Sequence, residues 1–151
     1  MVIASAVNIL LVDDDPGSLE LLQEILAADE VNLVLATSGE QALREIETLD
    51  FAAVVLDVGM PGISGFALAK CIRNQARSSA TPIIFVTGAD VRTFPIEQAY
   101  ALGAVDYLSK PVNPIILRAK VTVFMQLYQL MLTLPLDCVS HNRDHELACL
   151  A

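Results

Sequence analysis

The chain has 151 residues, 54% of them hydrophobic, no Trp, and a formal net charge of −9. That length suits one domain with an aliphatic core, and the apolar content excludes a disordered chain. The excess of acid excludes a broad electrostatic grip on nucleic acid, so no direct nucleic acid binding is expected.

The apolar run Asn8–Val12 reads as a first strand, and it ends in Asp13, Asp14 and Asp15. Leu19, Leu22 and Leu26, with Leu21 and Ile25, follow at helical spacing. Asp15 before Pro16 predicts an N-cap with proline at the first helical position. Val31–Ala36 reads as a second strand. Residues 38–49 form the next helix, with Ser38 and Gln41 at capping-box spacing. Phe51–Asp57 is strand three, and residues 64–75 are a helix capped by Ser64. Cys71 lies among apolar residues of that helix and reads as a small buried hydrophobe. Thr81–Gly88 is strand four. Residues 95–103 are a short helix with Pro95 at its start and Gly103 just past its end. Residues 105–111 are strand five, and Asn113 with Pro114 opens a long last helix.

Strand and helix alternate five times, which predicts an α/β fold with a parallel sheet covered by helices on both faces. Residues 1–132 are expected to form the domain, including the long helix, and 133–151 a tail or truncated linker. In the last helix, residues 116, 123, 127 and 130 form one apolar stripe. Leu117, Val121, Phe124, Tyr128 and Met131 form another. One helix cannot bury both stripes on its own sheet, so a second partner is implied. The uncharged stretch Val121–Leu136 is shorter than a bilayer span and holds two Gln and a Pro, so it reads as a buried or partner-facing helix and no membrane is expected. The tail carries Cys138, His141, His145 and Cys149. One helix offers only an i, i+4 pair, so metal binding there is not expected. The odd cysteine count and the absence of CxxC argue against a disulfide framework, and no basic start of a secretory signal is present. A cytoplasmic location is expected.

The strand ends carry the chemistry. Strand one ends in aspartates, strand three in Asp57, strand four in Thr87 and strand five in Lys110. In an open parallel sheet these ends share one edge, where ligands bind. Carboxylates held about 4 Å apart repel by roughly 1–4 kcal/mol per pair. A divalent cation relieves that repulsion, and an all-oxygen donor set suits Mg²⁺. Lys110 can then pair with an incoming anion, and a carboxylate beside metal and ammonium can serve as a nucleophile toward phosphorus.

The stretches "LLVDDDP", "VVLDVGMPGISGF", "IIFVTG" and "GAVDYLSKP" resemble the receiver domain of bacterial two-component response regulators, over about residues 7 to 130. The resemblance implies a flavodoxin-like, doubly wound five-stranded sheet of order 2-1-3-4-5. It implies that Asp57 accepts a phosphoryl group from a sensor histidine kinase or phosphotransfer protein. It further implies Asp14 as a direct Mg²⁺ ligand, Asp13 acting largely through water, and the Gly59 carbonyl as a third protein contact. Lys110 and the Gly88 amide would hold the phosphoryl group with Thr87, Tyr107 would swing inward as Thr87 moves, and the Lys110–Pro111 bond would be cis. The close of the last helix is similar to that of receivers joined to further modules, which implies a homodimer or an output domain contacted through it.

Two positions depart from the family pattern. Gly59 and Ala89 cannot orient a water molecule, so slow self-dephosphorylation is expected. A haloacid-dehalogenase-type phosphatase would need an acid where Gly59 stands. A nucleotide or flavin module would want a glycine-rich loop where "DDDPGS" stands. The function expected is therefore a phosphoryl-accepting switch rather than an enzyme. A degenerate receiver that only binds protein is the alternative, and the intact acid set argues against it.

Overall fold

The computed structural model describes residues 6–60, 62–88, 95–103 and 106–134. Five strands alternate with five helices: β1 (Val7–Val12), α1 (Pro16–Leu26), β2 (Val31–Ala36), α2 (Gly39–Thr48), β3 (Ala53–Asp57), α3 (Gly65–Asn74), β4 (Ile83–Thr87), α4 (Ile96–Ala101), β5 (Asp106–Ser109) and α5 (Pro114–Thr133). A 3₁₀ turn at Ala76–Ser78 leads from α3 toward β4. All strand pairs are parallel and the order is β2-β1-β3-β4-β5. This is the flavodoxin-like order, and its direction reverses between β1 and β3.

The three central strands explain the unbroken apolar runs. Leu10, Val12, Val54, Leu56, Ile83 and Phe85 face a core shared with α2, α3 and α4. Their neighbours Ile9, Leu11, Ala53, Val55, Ile84 and Val86 face a second core, beneath α1 and α5. Successive side chains of a strand point to opposite faces, so both sets must be apolar where both faces are covered. Each large side chain so buried contributes about 1.5–3 kcal/mol before the entropy of ordering it. The edge strands β2 and β5 are only half-buried, and polar residues stand within their runs, as Asn8 does near the start of β1.

Most helix starts follow their capping residues. Asp15 accepts from the Ser18 amide, and Pro16 opens α1. Ser64 accepts from the Ala67 amide, and Asn113 accepts from the amides of Ile115 and Ile116. At α2 only half of the expected capping box forms. Ser38 accepts from Gln41, but the Gln41 side chain accepts from the Thr37 amide at 2.8 Å instead of reaching the Ser38 amide. The Thr37 hydroxyl also donates to it, which accounts for the one-residue displacement. Pro95 is the residue before α4 rather than its first helical one. Cys71 is half-buried, not buried as expected, because the turns of α3 that meet the sheet carry Leu68, Ala69 and Ile72. The tail residues Cys138, His141, His145 and Cys149 and the loop residue Ala89 lie outside the described residues.

Arg73, which the sequence did not single out, ties α3 to α4. Its guanidinium donates to the carbonyls of Leu102 at 2.8 Å, Gly103 at 2.8 Å and Thr81 at 2.7 Å, with longer bonds to Ser78 and Ser79. Gly103 has φ of +75°, and a Cβ there would lie 2.9 Å from Arg73 Nε, so this C-terminal turn needs glycine twice over. Arg73→Met is expected to lower the unfolding free energy in urea by about 1–3 kcal/mol, since those carbonyls lose their donor. Arg77→Ala, which breaks the exposed pair between Arg77 and Asp50, should cost less than about 1 kcal/mol.

Candidate functional site

The site forms where the sheet order reverses. Asp13 and Asp14 follow the end of β1, Asp57 is the last residue of β3, and the two strands are hydrogen-bonded neighbours. Oxygens of Asp13, Asp14 and Asp57 lie within 4.8 Å of one another. Asp13 and Asp57 are buried, whereas Asp14 is exposed. Lys110 follows β5 and reaches across the edge, with Nζ 3.0 Å from Asp13 Oδ2 and 3.7 Å from Asp57 Oδ2.

Backbone amides fix the two buried carboxylates. The Asp15 amide donates to Asp13 Oδ1 at 2.9 Å, and the Gly59 amide donates to Asp57 Oδ1 at 3.2 Å. Lys110 is positioned in turn by its own amide, which donates to the Thr87 carbonyl at 2.8 Å. The Lys110–Pro111 peptide is cis. Thr87 is buried at the end of β4, one residue beyond the partner of Asp57 in the β3–β4 register. Gly88 follows it at the exposed edge. Tyr107, on β5 opposite Phe85, is half-buried and packs on the core beside Ile96, Ala99 and Leu102.

The electrostatics follow from this packing. Burial raises the Asp57 carboxyl above its ordinary value and the charge of Asp13 adds to the effect, against the opposing Gly59 amide and Lys110. Burial works to lower the Lys110 pKa, but Asp13, followed by Asp57 and Asp15, outweighs it and raises the value. Lys110 is therefore a firm cation, and its partner Asp57 is the carboxylate with most to gain from further positive charge. Asp15 stands apart: the Ser18 hydroxyl and amide hold its carboxyl below the ordinary range. It caps α1, as the sequence suggested, and is absent from the cluster of three.

Three carboxylates with no His or Cys among them fit a hard divalent cation with oxygen preference, and Mg²⁺ in particular. Sequence reasoning missed Gly65. A Cβ there would lie 2.7 Å from both the Asp57 carbonyl oxygen and Val58 Cα, so only glycine lets α3 begin this close to the Asp57 backbone. A glycine directly after a helix cap, where a helix former would be favoured, was the available signal.

A model of the response regulator receiver domain matches residues 9–122. The alkaline phosphatase synthesis transcriptional regulatory protein PhoP of Bacillus subtilis is 34% identical over 119 residues, which are 79% of this chain and 48% of that protein. The chain spans between 27% and 49% of the length of the first curated relatives it matches. The chemotaxis protein CheY4 of Vibrio cholerae superposes with a TM-score of 0.72 at 28% identity, covering 80% of this chain and 99% of CheY4. The receiver domain of the sensor histidine kinase PA1611 of Pseudomonas aeruginosa PAO1, solved with magnesium coordinated in its active-site cleft, gives 0.72 at 26% identity over 81% of this chain and 99% of that one.

Because the Asp57 carboxyl is raised in the fold, the folded chain binds that proton more tightly than the unfolded chain does. Metal-free stability should therefore fall as pH rises from the ordinary carboxylate value of 3.8 through the raised one. Asp57→Asn is expected to raise the metal-free urea midpoint at pH 7, and the gain should vanish as pH falls below that window.

Proposed function

The chain belongs to the response regulator receiver family, the phosphoacceptor module of two-component signalling, and from that premise we propose that Asp57 is its phosphoacceptor. The observation that carries this reading is the placement of Asp57. It is buried, sits at the reversal point of the sheet, and has two further carboxylates and one ammonium within reach. Receivers bind Mg²⁺ in such an acidic site, and here Asp13, Asp14, Asp57 and the Gly59 carbonyl would hold it. When bound, Mg²⁺ supplies positive charge that offsets both the carboxylates and the oxygens of the phosphoryl donor.

The donor is a phosphohistidine of a sensor histidine kinase or of a phosphotransfer protein. A carboxylate oxygen of Asp57 attacks phosphorus in line. An O–P bond forms, the P–N bond breaks, and the imidazole leaves with that electron pair. Lys110 turns from Asp13 toward the phosphoryl oxygens and neutralises the charge gathered there. The Thr87 hydroxyl and the Gly88 amide then hydrogen-bond the transferred group. Movement of Thr87 opens space along the core into which Tyr107 turns, and α4 beside it is the element whose position reports the change.

The output is conformational, and the reaction on Asp57 ends with a covalent acyl phosphate. Gly59 offers no side chain to hold a water in line for its hydrolysis, and Ala89 is apolar as well. The switch thus relaxes slowly. The last helix offers a face to a second copy or to an output module, and the chain acts in the cytoplasm, where the kinase domains that supply phosphohistidine reside.

Treatment with a small phosphodonor and Mg²⁺ should add one phosphoryl group, read by intact mass. Asp57→Asn should abolish the adduct, and the same chain with EDTA should show none. Lys110→Ala should retain Mg²⁺ binding yet form adduct at least about tenfold more slowly, the loss of one charge contact to the transferring group. The wild-type adduct should persist for minutes or longer, and Gly59→Asn should shorten its lifetime. Persistence of the adduct in Asp57→Asn would place the acceptor elsewhere.

A further inference from the structure

β2 is one edge of the sheet, and the phase of its ladder with β1 shows which backbone groups face away. Two bonds bracket that ladder, from the Val7 amide to the Glu30 carbonyl at 3.0 Å and from the Asp13 amide to the Ala36 carbonyl at 3.1 Å. Asn32, Val34 and Ala36 therefore turn their amides and carbonyls to β1. Leu33 and Leu35 turn theirs outward, and among the described residues no hydrogen bond reaches those groups.

Edge strands are ordinarily blunted by a charge, a proline, a bulge or shortness. β5, the opposite edge, is four residues long and carries Asp106. β2 has none of these devices. It runs for six residues without a charge or a proline, pairs with β1 without a bulge, and leaves Val31, Leu33, Val34 and Leu35 only half-buried.

We propose that β2 takes up a sixth strand, an extended segment of a partner protein in which aliphatic residues alternate with Lys or Arg. Backbone pairing at Leu33 and Leu35 sets the register. The aliphatic side chains of the added strand continue the two cores, beside Leu33 and Leu35 on the face of α1 and beside Val34 on that of α2. Charge selects the occupant. Residues 16–48, which form β2 and the helices on its two faces, hold seven acids and a single base, Arg44. Asp29 and Glu30 stand exposed directly before the strand. A second copy pairing β2 to β2 would set two such acidic sets side by side, where like charges repel, whereas a basic segment meets opposite charge along its length.

The edge belongs to the fold and not to the phosphoacceptor chemistry, so it is tested on the unphosphorylated full chain. The probe is an end-capped peptide of eight residues, alternating valine and lysine. Titration followed by amide NMR should show one saturable site and slowed hydrogen exchange at Leu33 and Leu35. Raising salt from about 0.05 M to about 0.5 M should weaken binding at least about tenfold. The same peptide with glutamate for lysine should not bind. N-methylation of one alternate set of peptide amides should abolish binding, and of the other set should leave it. Asp29→Lys with Glu30→Lys should weaken binding at least about tenfold, and Glu97→Lys on α4 should leave it within about twofold. Circular dichroism confirms that these variants fold. Slow exchange at Leu33 and Leu35 without peptide would mean that a second copy or residues 135–151 already fill the edge, and would overturn the proposal. So would protection confined to Asp13, Asp14 and Asp57, binding of the glutamate peptide, indifference to N-methylation, or equal weakening by Glu97→Lys.

Discussion

Two carboxylates buried side by side, Asp13 and Asp57, are the constraint around which this molecule is arranged. They cannot be moved apart, because Asp57 ends one central strand and Asp13 directly follows another, and the interiors of both strands are fixed by the hydrophobic core on both faces. Their repulsion must be met with positive charge, and the chain supplies part of it from a third strand, through Lys110. The ammonium sits nearer Asp13 than Asp57, and Asp57 keeps a raised affinity for a proton. A carboxylate left short of positive charge in the folded state is the one best placed to gain from a cation and a transferring phosphoryl group. The fold thus holds the site in tension that binding relieves.

The same strand ends connect chemistry to shape. Thr87 and Lys110 are linked through the backbone, by the bond from the Lys110 amide to the Thr87 carbonyl, and Lys110 directly follows β5, the strand that pairs with the β4 that Thr87 ends. Thr87 ends β4 next to β5, where Tyr107 and α4 share a core. Arg73 holds the C-terminal turn of α4 by the carbonyls of Leu102 and Gly103. α5 lies on the opposite face of the sheet, where its inner side is part of the core and Ile116, Val123, Leu127 and Leu130 on its outer side are exposed.

Much of this was legible in the sequence, for reasons that differ by element. The central strands announce themselves because burial on both faces demands unbroken Val, Ile and Leu. The site was readable because the acids and the lysine stand where those runs stop, and strand ends of a parallel sheet share an edge. Asp15 and Asn113 were legible as caps because their side chains act within three residues. What stayed hidden depends on distant partners. The role of Arg73 rests on carbonyls near residues 78–81 and 102–103, and that of Gly65 on the backbone of Asp57 and Val58; no local pattern encodes either. The displaced bond of Gln41 was set by the neighbouring Thr37, a competition that spacing alone does not resolve. Cys71 was read as buried from its apolar neighbours, but only the positions of α3 turned to the sheet are covered.

The most direct measurement is a crystal structure with Mg²⁺ and beryllofluoride, which mimics a phosphoryl group on a carboxylate. The account predicts beryllium bonded to an oxygen of Asp57, Mg²⁺ among Asp13, Asp14 and Asp57, and Lys110 turned from Asp13 to a fluoride. Beryllium on any other side chain, or Lys110 still paired with Asp13 beside an occupied Asp57, would contradict it.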